Sequence, residues 1–148
     1  MLRTVFSVLV SGIALLSSGC VIIKEYPAPA EKKVAPAEYE LAKKLLQAFI
    51  KNDADGFVAL LPEETRTKFT AKEFAATRKA VLESIGEPVA YSYVTSLKLD
   101  KLNPQIWKVT FKRNNVNNTR EYTSEVLFKV VTGMESRTKA AIISFHFL

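Results

Sequence analysis

Residues 70–97 read TAKEFAATRKAVLESIGEPVAYSYVTSL, and the hydrophobic pattern changes within this stretch. Up to residue 85 the apolar residues recur with the 3.6-residue period of a helix. After Gly86 they alternate with polar residues, as in a strand with one buried face. A helix followed by strands that short loops connect predicts an α+β fold with an antiparallel sheet.

The helix of this stretch has recognisable start and stop signals. Thr70 and Glu73 have the spacing of a capping box, in which each side chain satisfies a backbone N–H of the other residue. Gly86 and Pro88 are typical of a helix end. The side chains predicted to be buried are Phe74, Val81 and Ile85.

Two further helices are predicted before this one. Residues 38–52 form the first, because four apolar side chains fall on one stripe: Leu41, Leu45, Ala48 and Phe49. The second is short. Asp53 is suited to cap its start and Pro62 to end it.

Four strands are predicted after Gly86, at about 89–99, 106–112, 119–132 and 138–147. Asn103-Pro104, the asparagine-rich segment 114–118 and Gly133 mark the turns between them. The residues predicted to face the helices are Val89, Tyr91, Tyr93, Thr95, Leu97, Leu99, Trp107, Val109, Phe111, Tyr122, Val126, Phe128, Val130, Ala141, Ile143, Phe145 and Phe147.

The last two predicted strands carry apolar residues on both faces. Leu127 and Val131 point away from the helices by alternation, and Ile142 is adjacent to Ile143. An apolar outer face needs a cover. A second copy of the chain would supply one in a homodimer, and a loop or the first helix of the same chain is the alternative.

The first residues have the layout of a secretory leader. Arg3 precedes an apolar run, and small residues precede Cys20, the only cysteine. Residues 16–20, LSSGC, resemble the bacterial lipoprotein box, although Ser17 stands where leucine is usual. The resemblance implies a signal peptide over 1–19 and a lipid anchor at Cys20. An uncleaved transmembrane helix over 4–23 is the alternative.

Residues 24–37, KEYPAPAEKKVAPA, predict an extended tether, because proline, alanine and charged residues cannot build a core. At about 3.1 Å per residue, these fourteen residues of the lipidated segment 20–37 would hold one domain, 38–148, up to roughly 40 Å from the membrane. We therefore expect a lipid-anchored protein of the cell envelope. If the cell has two membranes, Val21 is not the aspartate that resembles an inner-membrane retention signal, which favours the outer membrane, facing the periplasm.

Three segments carry a resemblance to a known superfamily: AFIKNDADGFVALLPEET (48–65), KEFAATRKAVLESIGEPVAYSYV (72–94) and the strand that contains Trp107. They resemble the nuclear transport factor 2-like superfamily, and especially its small secreted or lipid-anchored bacterial members without an assigned activity. The resemblance implies three N-terminal helices packed on a curved four-stranded antiparallel sheet in the shape of a cone. The cystatin-like roll is the rival fold.

The cone of that superfamily often encloses a pocket between helices and sheet. Some members use it as isomerases or dehydratases, and others only bind or scaffold. Six aromatic residues are the candidates to line such a pocket here, or simply to fill the core: Phe57, Phe74, Tyr91, Tyr93, Trp107 and Phe111.

No residue is assigned a catalytic role, and neither a metal nor a cofactor is expected. His146, the only histidine, is predicted on the outer face and suits a surface or interface residue better than a general base. Asp53 and Glu64 have the spacing of the ends of a calcium loop, but apolar residues stand between them where oxygen ligands are required. Glu63-Glu64 is read as a solvated helix start.

The chain is basic, with 21 Lys+Arg against 15 Asp+Glu. Lys98, Lys108 and Lys112 are predicted on the polar face of the first two strands. They could attract anionic lipid, an acidic envelope polymer or an acidic protein, or merely protect a solvated edge. Nucleic acid is not an expected partner, because the aromatic residues alternate inward and do not lie among the lysines.

The sequence therefore predicts a lipid-anchored, non-catalytic binding or scaffolding module. A carrier of a small apolar ligand is the first alternative, and a pocket enzyme of isomerase or dehydratase type is the second. A filled cone favours scaffolding and an open aromatic cavity favours the carrier. The same cavity with a buried acid or tyrosine favours the enzyme.

Overall fold

The computed structural model describes residues 24–26, 35–97, 99–114, 120–136 and 139–148. Within these ranges it has four helices: α1 (Pro36–Lys51), α2 (Ala54–Ala59), α3 (Glu63–Arg66) and α4 (Ala71–Ile85). The strands are β1 (Lys24–Tyr26), β2 (Glu87–Ser96), β3 (Leu102–Asn114), β4 (Glu121–Met134) and β5 (Ala140–Phe147). None of these helices is long and apolar enough to cross a membrane.

The strands form one sheet in the order β1-β2-β3-β4-β5. β2 to β5 are antiparallel neighbours, as predicted, and the helices pack on one face of this four-stranded meander. β1 lies parallel to β2, with Lys24 opposite Ala90. The predicted tether is therefore wrong for residues 24–26. Residues 1–23, including Cys20, and 27–34 lie outside the described residues.

The core lies between α1 and the inner face of the sheet. α1 crosses β3, β4 and β5, and Leu45, Leu46 and Phe49 are among its buried residues. It ends at Asn52, whose φ of 58° is the left-handed conformation common at helix ends. Of the predicted stripe, Leu45, Ala48 and Phe49 are buried and Leu41 is only partly buried, whereas the buried Leu46 was not predicted.

Two short helices, α2 and α3, lie where one was predicted. Asp53 caps α2 as expected, since its Oδ1 accepts a hydrogen bond of 2.8 Å from the backbone N–H of Gly56. Pro62 does more than end that helix, because its fixed φ also starts α3. Glu63 and Glu64 are exposed in the first turn of α3, where acidic groups complement the helix dipole.

A β-bulge corrects the predicted facing of β2. The pairing with β3 shifts between Tyr93 and Thr95, which leaves Val94 as an extra residue. One extra residue reverses the facing of everything after it. Leu97 and Leu99, which were predicted to face the helices, are therefore exposed.

A second bulge corrects β5. Thr132 pairs with Ile142 while Val131 pairs with Ser144, so Ile143 has no opposite residue. Ile142 is consequently buried, and Ile143, predicted on the inner face, is exposed on the outer one. Tyr122, also predicted to be inward, is exposed near the start of β4.

Pro104 does not mark a turn, contrary to prediction, but lies inside β3. Its carbonyl accepts a hydrogen bond of 2.9 Å from the N–H of Leu97, just past the end of β2. In an antiparallel ladder the N–H and C=O of one residue point to the same neighbour. The side of Pro104 that lacks an N–H therefore points to the region just past the end of β2. Proline at this position removes little of the hydrogen bonding between the two strands.

Candidate functional site

An open apolar cleft with a volume of about 420 Å³ lies where α1, α2 and α4 meet the ends of β4 and β5. Seven of the nine phenylalanines of the chain line it: Phe49, Phe57, Phe69, Phe74, Phe128, Phe145 and Phe147. Thr77 and His146 supply the polar part of the lining. The cleft is thus almost wholly aromatic.

Phe57 of α2 packs against other aromatic rings in one wall of the cleft. Its ring centroid lies 4.9 Å from that of Phe74 on α4 and 5.1 Å from that of Phe145 on β5. Phe69 closes the same wall, 5.6 Å from Phe145. These tilted and edge-to-face arrangements are favourable between aromatic rings and fix their positions.

Phe147 of β5 joins the cleft to the core. Its ring lies 4.8 Å from Phe128 on β4, 5.2 Å from Phe49 on α1 and 5.9 Å from Phe111 on β3. Four elements therefore meet at this one ring.

Arg78 of α4 lies beside the cleft, but its charge is already engaged. Its guanidinium donates hydrogen bonds of 2.9 Å to the carbonyl of Phe49 and 3.3 Å to that of Ile50. It also lies 3.7 Å from a carboxylate oxygen of Glu87. A cation on the last carbonyls of α1 complements the helix dipole. Arg78 thus fixes α4 against α1 at the mouth of the cleft.

The structure separates the six predicted pocket residues into two groups. Phe57 and Phe74 line the cleft. Tyr91, Tyr93, Trp107 and Phe111 lie in the core under α1. Tyr39 of α1 covers this second group, with its ring 5.4 Å from Tyr93 and 5.2 Å from Trp107. The sequence could not reveal this separation, because it depends on where α1 crosses the sheet.

A buried polar cluster, formed by Glu38, Asn103, Gln105 and Thr132, was missed in the sequence. Both carboxylate oxygens of Glu38, which is 1% exposed, lie 2.9 Å from the amide nitrogen of Asn103. An acidic residue in a first helical turn usually faces water, so its type and position gave no signal of burial. The cluster contributes no residue to the lining of the cleft.

The other residues considered for chemistry serve local structure or lie at the rim. His146 is exposed and pairs with Lys129 across the strands, at the border of the cleft. Asp53 caps a helix. Within the described ranges, no group of three or more His, Cys, Asp or Glu side chains could hold a metal ion.

Two of the three predicted lysines lie on the outer face of the sheet. Lys108 and Lys112 border a groove of about 540 Å³ together with Lys24 of β1. Their ammonium groups lie 2.9 Å from Glu125 and 2.6 Å from Glu121, which offsets part of their charge. Lys98 lies outside the described residues.

Several solved structures are similar to this one over much of the chain. A ketosteroid isomerase-like protein from Erwinia carotovora atroseptica matches with a TM-score of 0.54 and 11% identity, over 75% of this chain and 92% of that chain. A protein described as a SnoaL-like polyketide cyclase, from Shewanella denitrificans, has a TM-score of 0.49 and 12% identity, over 77% of this chain and 90% of that chain. An NTF2-like protein of unknown function from Cytophaga hutchinsonii has a TM-score of 0.39 and 13% identity, over 79% of this chain and 93% of that chain.

No protein-family model matches the chain, and no curated protein does. At these identities, structural likeness shows the fold and leaves the activity open. The fold, helices packed on one face of an antiparallel sheet, is the α+β architecture that the sequence predicted, and the ketosteroid isomerase-like protein shares it.

Proposed function

We propose that the protein is a non-catalytic binding protein whose cleft takes a small apolar ligand. The observation that carries this proposal is the ring of seven phenylalanines around an open space of about 420 Å³. That volume lies within the usual range of small-molecule sites, which are mostly apolar with a few polar groups. Thr77 and His146 are the polar groups here, and a ligand with one polar end fits them.

Two observations favour binding over the other functions that the sequence left open. A pure scaffold has no use for an open aromatic cleft, in which the partly exposed rings of Phe69, Phe145 and Phe147 lose contacts that a closed core would give them. An enzyme needs an acid, base or nucleophile at the substrate. The described lining contains no carboxylate, lysine or tyrosine. Its only groups of this kind are the hydroxyl of Thr77 and the imidazole of His146, which is exposed at the border of the cleft, and the buried acid Glu38 belongs to the separate polar cluster.

The lipid anchor at Cys20 is part of the proposal and rests on the sequence motif. It would place the cleft in the cell envelope, beside a membrane that is a source of apolar molecules. A binding protein held there would take up or present such a ligand without releasing itself into solution.

The test is binding of a fluorescent apolar probe, N-phenyl-1-naphthylamine, to the full-length protein and to two α4 variants. Thr77→Trp puts a large side chain into the cleft. Ala76→Trp is the matched control, because the neighbouring Ala76 is exposed and does not line the cleft.

We expect the wild-type protein and Ala76→Trp to bind the probe with similar affinity, and Thr77→Trp to bind it at least about tenfold more weakly, a difference of about 1.4 kcal/mol. Equal binding by the two variants, or a wild-type protein that does not bind, would refute a ligand site in the cleft. If the cleft does bind the probe, native mass spectrometry of protein isolated gently from the envelope would identify the natural ligand by its extra mass.

A further inference from the structure

Four exposed apolar side chains lie on the outer face at the end of the sheet where β2 turns into β3. We call them the leucine patch: Leu97, Leu99, Leu102 and Ile143, with exposed fractions of 58%, 53%, 38% and 55%. They are four of the nine large apolar side chains that are exposed among the described residues. Such clustering marks an interaction surface, whereas scattered exposed leucines do not.

Backbone pairing makes the leucine patch continuous. The N–H of Leu99 donates a hydrogen bond of 3.0 Å to the carbonyl of Leu102 and so closes the β2–β3 hairpin. Leu102 pairs with Gly133 of β4. A Cβ placed on Gly133 would lie 3.6 Å from side-chain atoms of both Leu102 and Ile143. These two side chains therefore approach each other over the glycine, on the outer face of the sheet.

The charges around the leucine patch favour a lipid surface over a protein partner. Lys101 is exposed within the hairpin next to the exposed Asp100, and Lys98 stands between two of the leucines in the sequence, so that the two lysines outnumber the one acid there. Lysine is depleted in the centre of protein interfaces. At a membrane surface, leucines enter the acyl region while lysine stems lie along it and their ammonium groups reach lipid phosphates.

The path of the chain brings this face toward a membrane. Only residues 21–23 separate Cys20 from β1, so the first residue of that strand lies within roughly 14 Å of the cysteine. β1 runs parallel to β2, and Lys24 lies opposite Ala90. The chain thus arrives from Cys20 at the start of β2, while the leucine patch lies just beyond the end of β2.

We propose that the leucine patch docks on an anionic lipid bilayer, so that the sheet lies along the membrane with its outer face down. The orientation rests on the proposed lipid anchor at one end of β2 and on the leucine patch at the other. Lys108 and Lys112 lie on the same face between them. The aromatic cleft, on the helical side of the sheet, then opens away from the headgroups.

The test uses the mature protein in vesicles of phosphatidylcholine and phosphatidylglycerol, with a polarity-sensitive fluorophore on one introduced cysteine. Leu99→Cys places the label in the leucine patch. Tyr122→Cys is the matched control, because Tyr122 is similarly exposed but lies at the other end of the sheet and, by alternation from the buried Phe128, on its helical face. Lipidation of Cys20 leaves the introduced cysteine as the only thiol.

We expect the Leu99→Cys label to shift to shorter wavelength and to be quenched by a nitroxide lipid, with neither change at Tyr122→Cys. Equal signals at the two positions would overturn the proposal. A shift that is already present without vesicles, in a species of twice the mass, would assign the leucine patch to a second copy and also overturn it.

The proposed lipid anchor is tested separately from docking. It is refuted if mass spectrometry finds no acyl group on Cys20. In that case Cys20 is a second thiol, so it is replaced by serine before labelling, and vesicles added to the labelled chain decide the docking proposal. A shift of the Leu99→Cys label upholds docking of the leucine patch without an anchor, and no shift overturns it.

Discussion

The side-chain amide of Gln105, in the middle of the sheet, donates a hydrogen bond of 3.0 Å to the backbone carbonyl of Glu38 in the first turn of α1. The same nitrogen lies 3.1 Å from the hydroxyl of Thr132 on β4. One fully buried side chain therefore ties α1 to two strands. This contact fixes the start of α1 on the sheet and, through the rigid helix, the position of Phe49 at the cleft.

Replacing Gln105 by leucine is expected to lower the free energy of unfolding by about 1–3 kcal/mol, because it leaves two buried acceptors without their donor. The amide oxygen of Gln105 has no hydrogen-bond partner among the described residues, so its removal breaks no hydrogen bond there. Urea unfolding followed by Trp107 fluorescence measures the change.

Gln47→Leu is the control for this change. Its amide makes a hydrogen bond of 2.9 Å to the hydroxyl of Tyr91, but at a partly buried site where water can replace the donor. We expect a smaller loss there. An equal loss of unfolding free energy in the two variants would show that the contact between Gln105 and α1 stabilises the protein no more than the hydrogen bond of Gln47 does.

Sequence patterns predicted the features of this fold that depend on neighbours along the chain. Thr70 and Glu73 cap α4, Asp53 caps α2, and Gly86 ends α4, each as expected. The signals for these features lie within four residues, so a local pattern contains all the information that sets them.

Features that depend on a partner strand could not be predicted in the same way. The bulges at Val94 and Ile143 exist only relative to the pairing with β3 and β4. Alternation read along one strand assumes that no bulge occurs, and it therefore placed Leu97, Leu99 and Ile143 on the wrong face. Three members of the leucine patch, Leu97, Leu99 and Ile143, are exposed as a direct consequence of these two bulges.

The aromatic cleft was predicted only in part for the same reason. Phe57 and Phe74 were named as lining residues, since they mark the buried sides of their helices. Phe145 and Phe147 were predicted to face inward, but nothing in the sequence showed that they meet Phe57 and Phe49 across the sheet. Contacts between such distant segments are set by the packing of α1 and α2.

Gly86→Ala is expected to destabilise the protein by about 1–3 kcal/mol or more, because alanine is strained at its φ of 99°. A Cβ there would also collide with the backbone carbonyl of Lys112 on β3. Thermal unfolding measures the effect. Gly133→Ala is the control, since its Cβ would lie 3.2 Å from a backbone oxygen without a positive φ. A smaller effect at Gly86 than at Gly133 would contradict this explanation.

The capping box of α4 is expected to make stability depend on pH. The hydrogen bond from the Thr70 side chain, followed by backbone hydrogen bonds, holds the pKa of Glu73 below its ordinary value of 4.5. A carboxyl group with a lowered pKa in the folded state stabilises the protein above its unfolded pKa. This contribution is lost as the pH falls through the lowered value.

Unfolding of the wild-type protein and of Glu73→Gln should therefore differ near neutral pH and converge under acidic conditions, below pH 4.5. Glu83→Gln is the control, because Glu83 lies near the other end of the same helix. A gap between Glu73→Gln and the wild-type protein that stays constant down to the acid limit would show that ionisation of Glu73 does not stabilise the cap.

Phe57→Ala is expected to lower the free energy of unfolding by about 3–5 kcal/mol, as truncation of a fully buried phenylalanine does. Phe57 is 2% exposed, and its ring contacts those of Phe69, Phe74 and Phe145. Its loss removes the contact that joins α2 to α4 and β5. Because the vacated space borders the cleft, folded Phe57→Ala should also bind a bulkier apolar probe than the wild-type protein does.

Phe69→Ala provides the comparison, since Phe69 lines the same wall but is only partly buried. We expect it to cost clearly less stability, in proportion to the smaller apolar area that it removes from water. Both variants are measured by urea unfolding and by titration with naphthyl probes of increasing size. If Phe57→Ala unfolded like Phe69→Ala and accepted no larger probe, the wall of the cleft would not depend on Phe57.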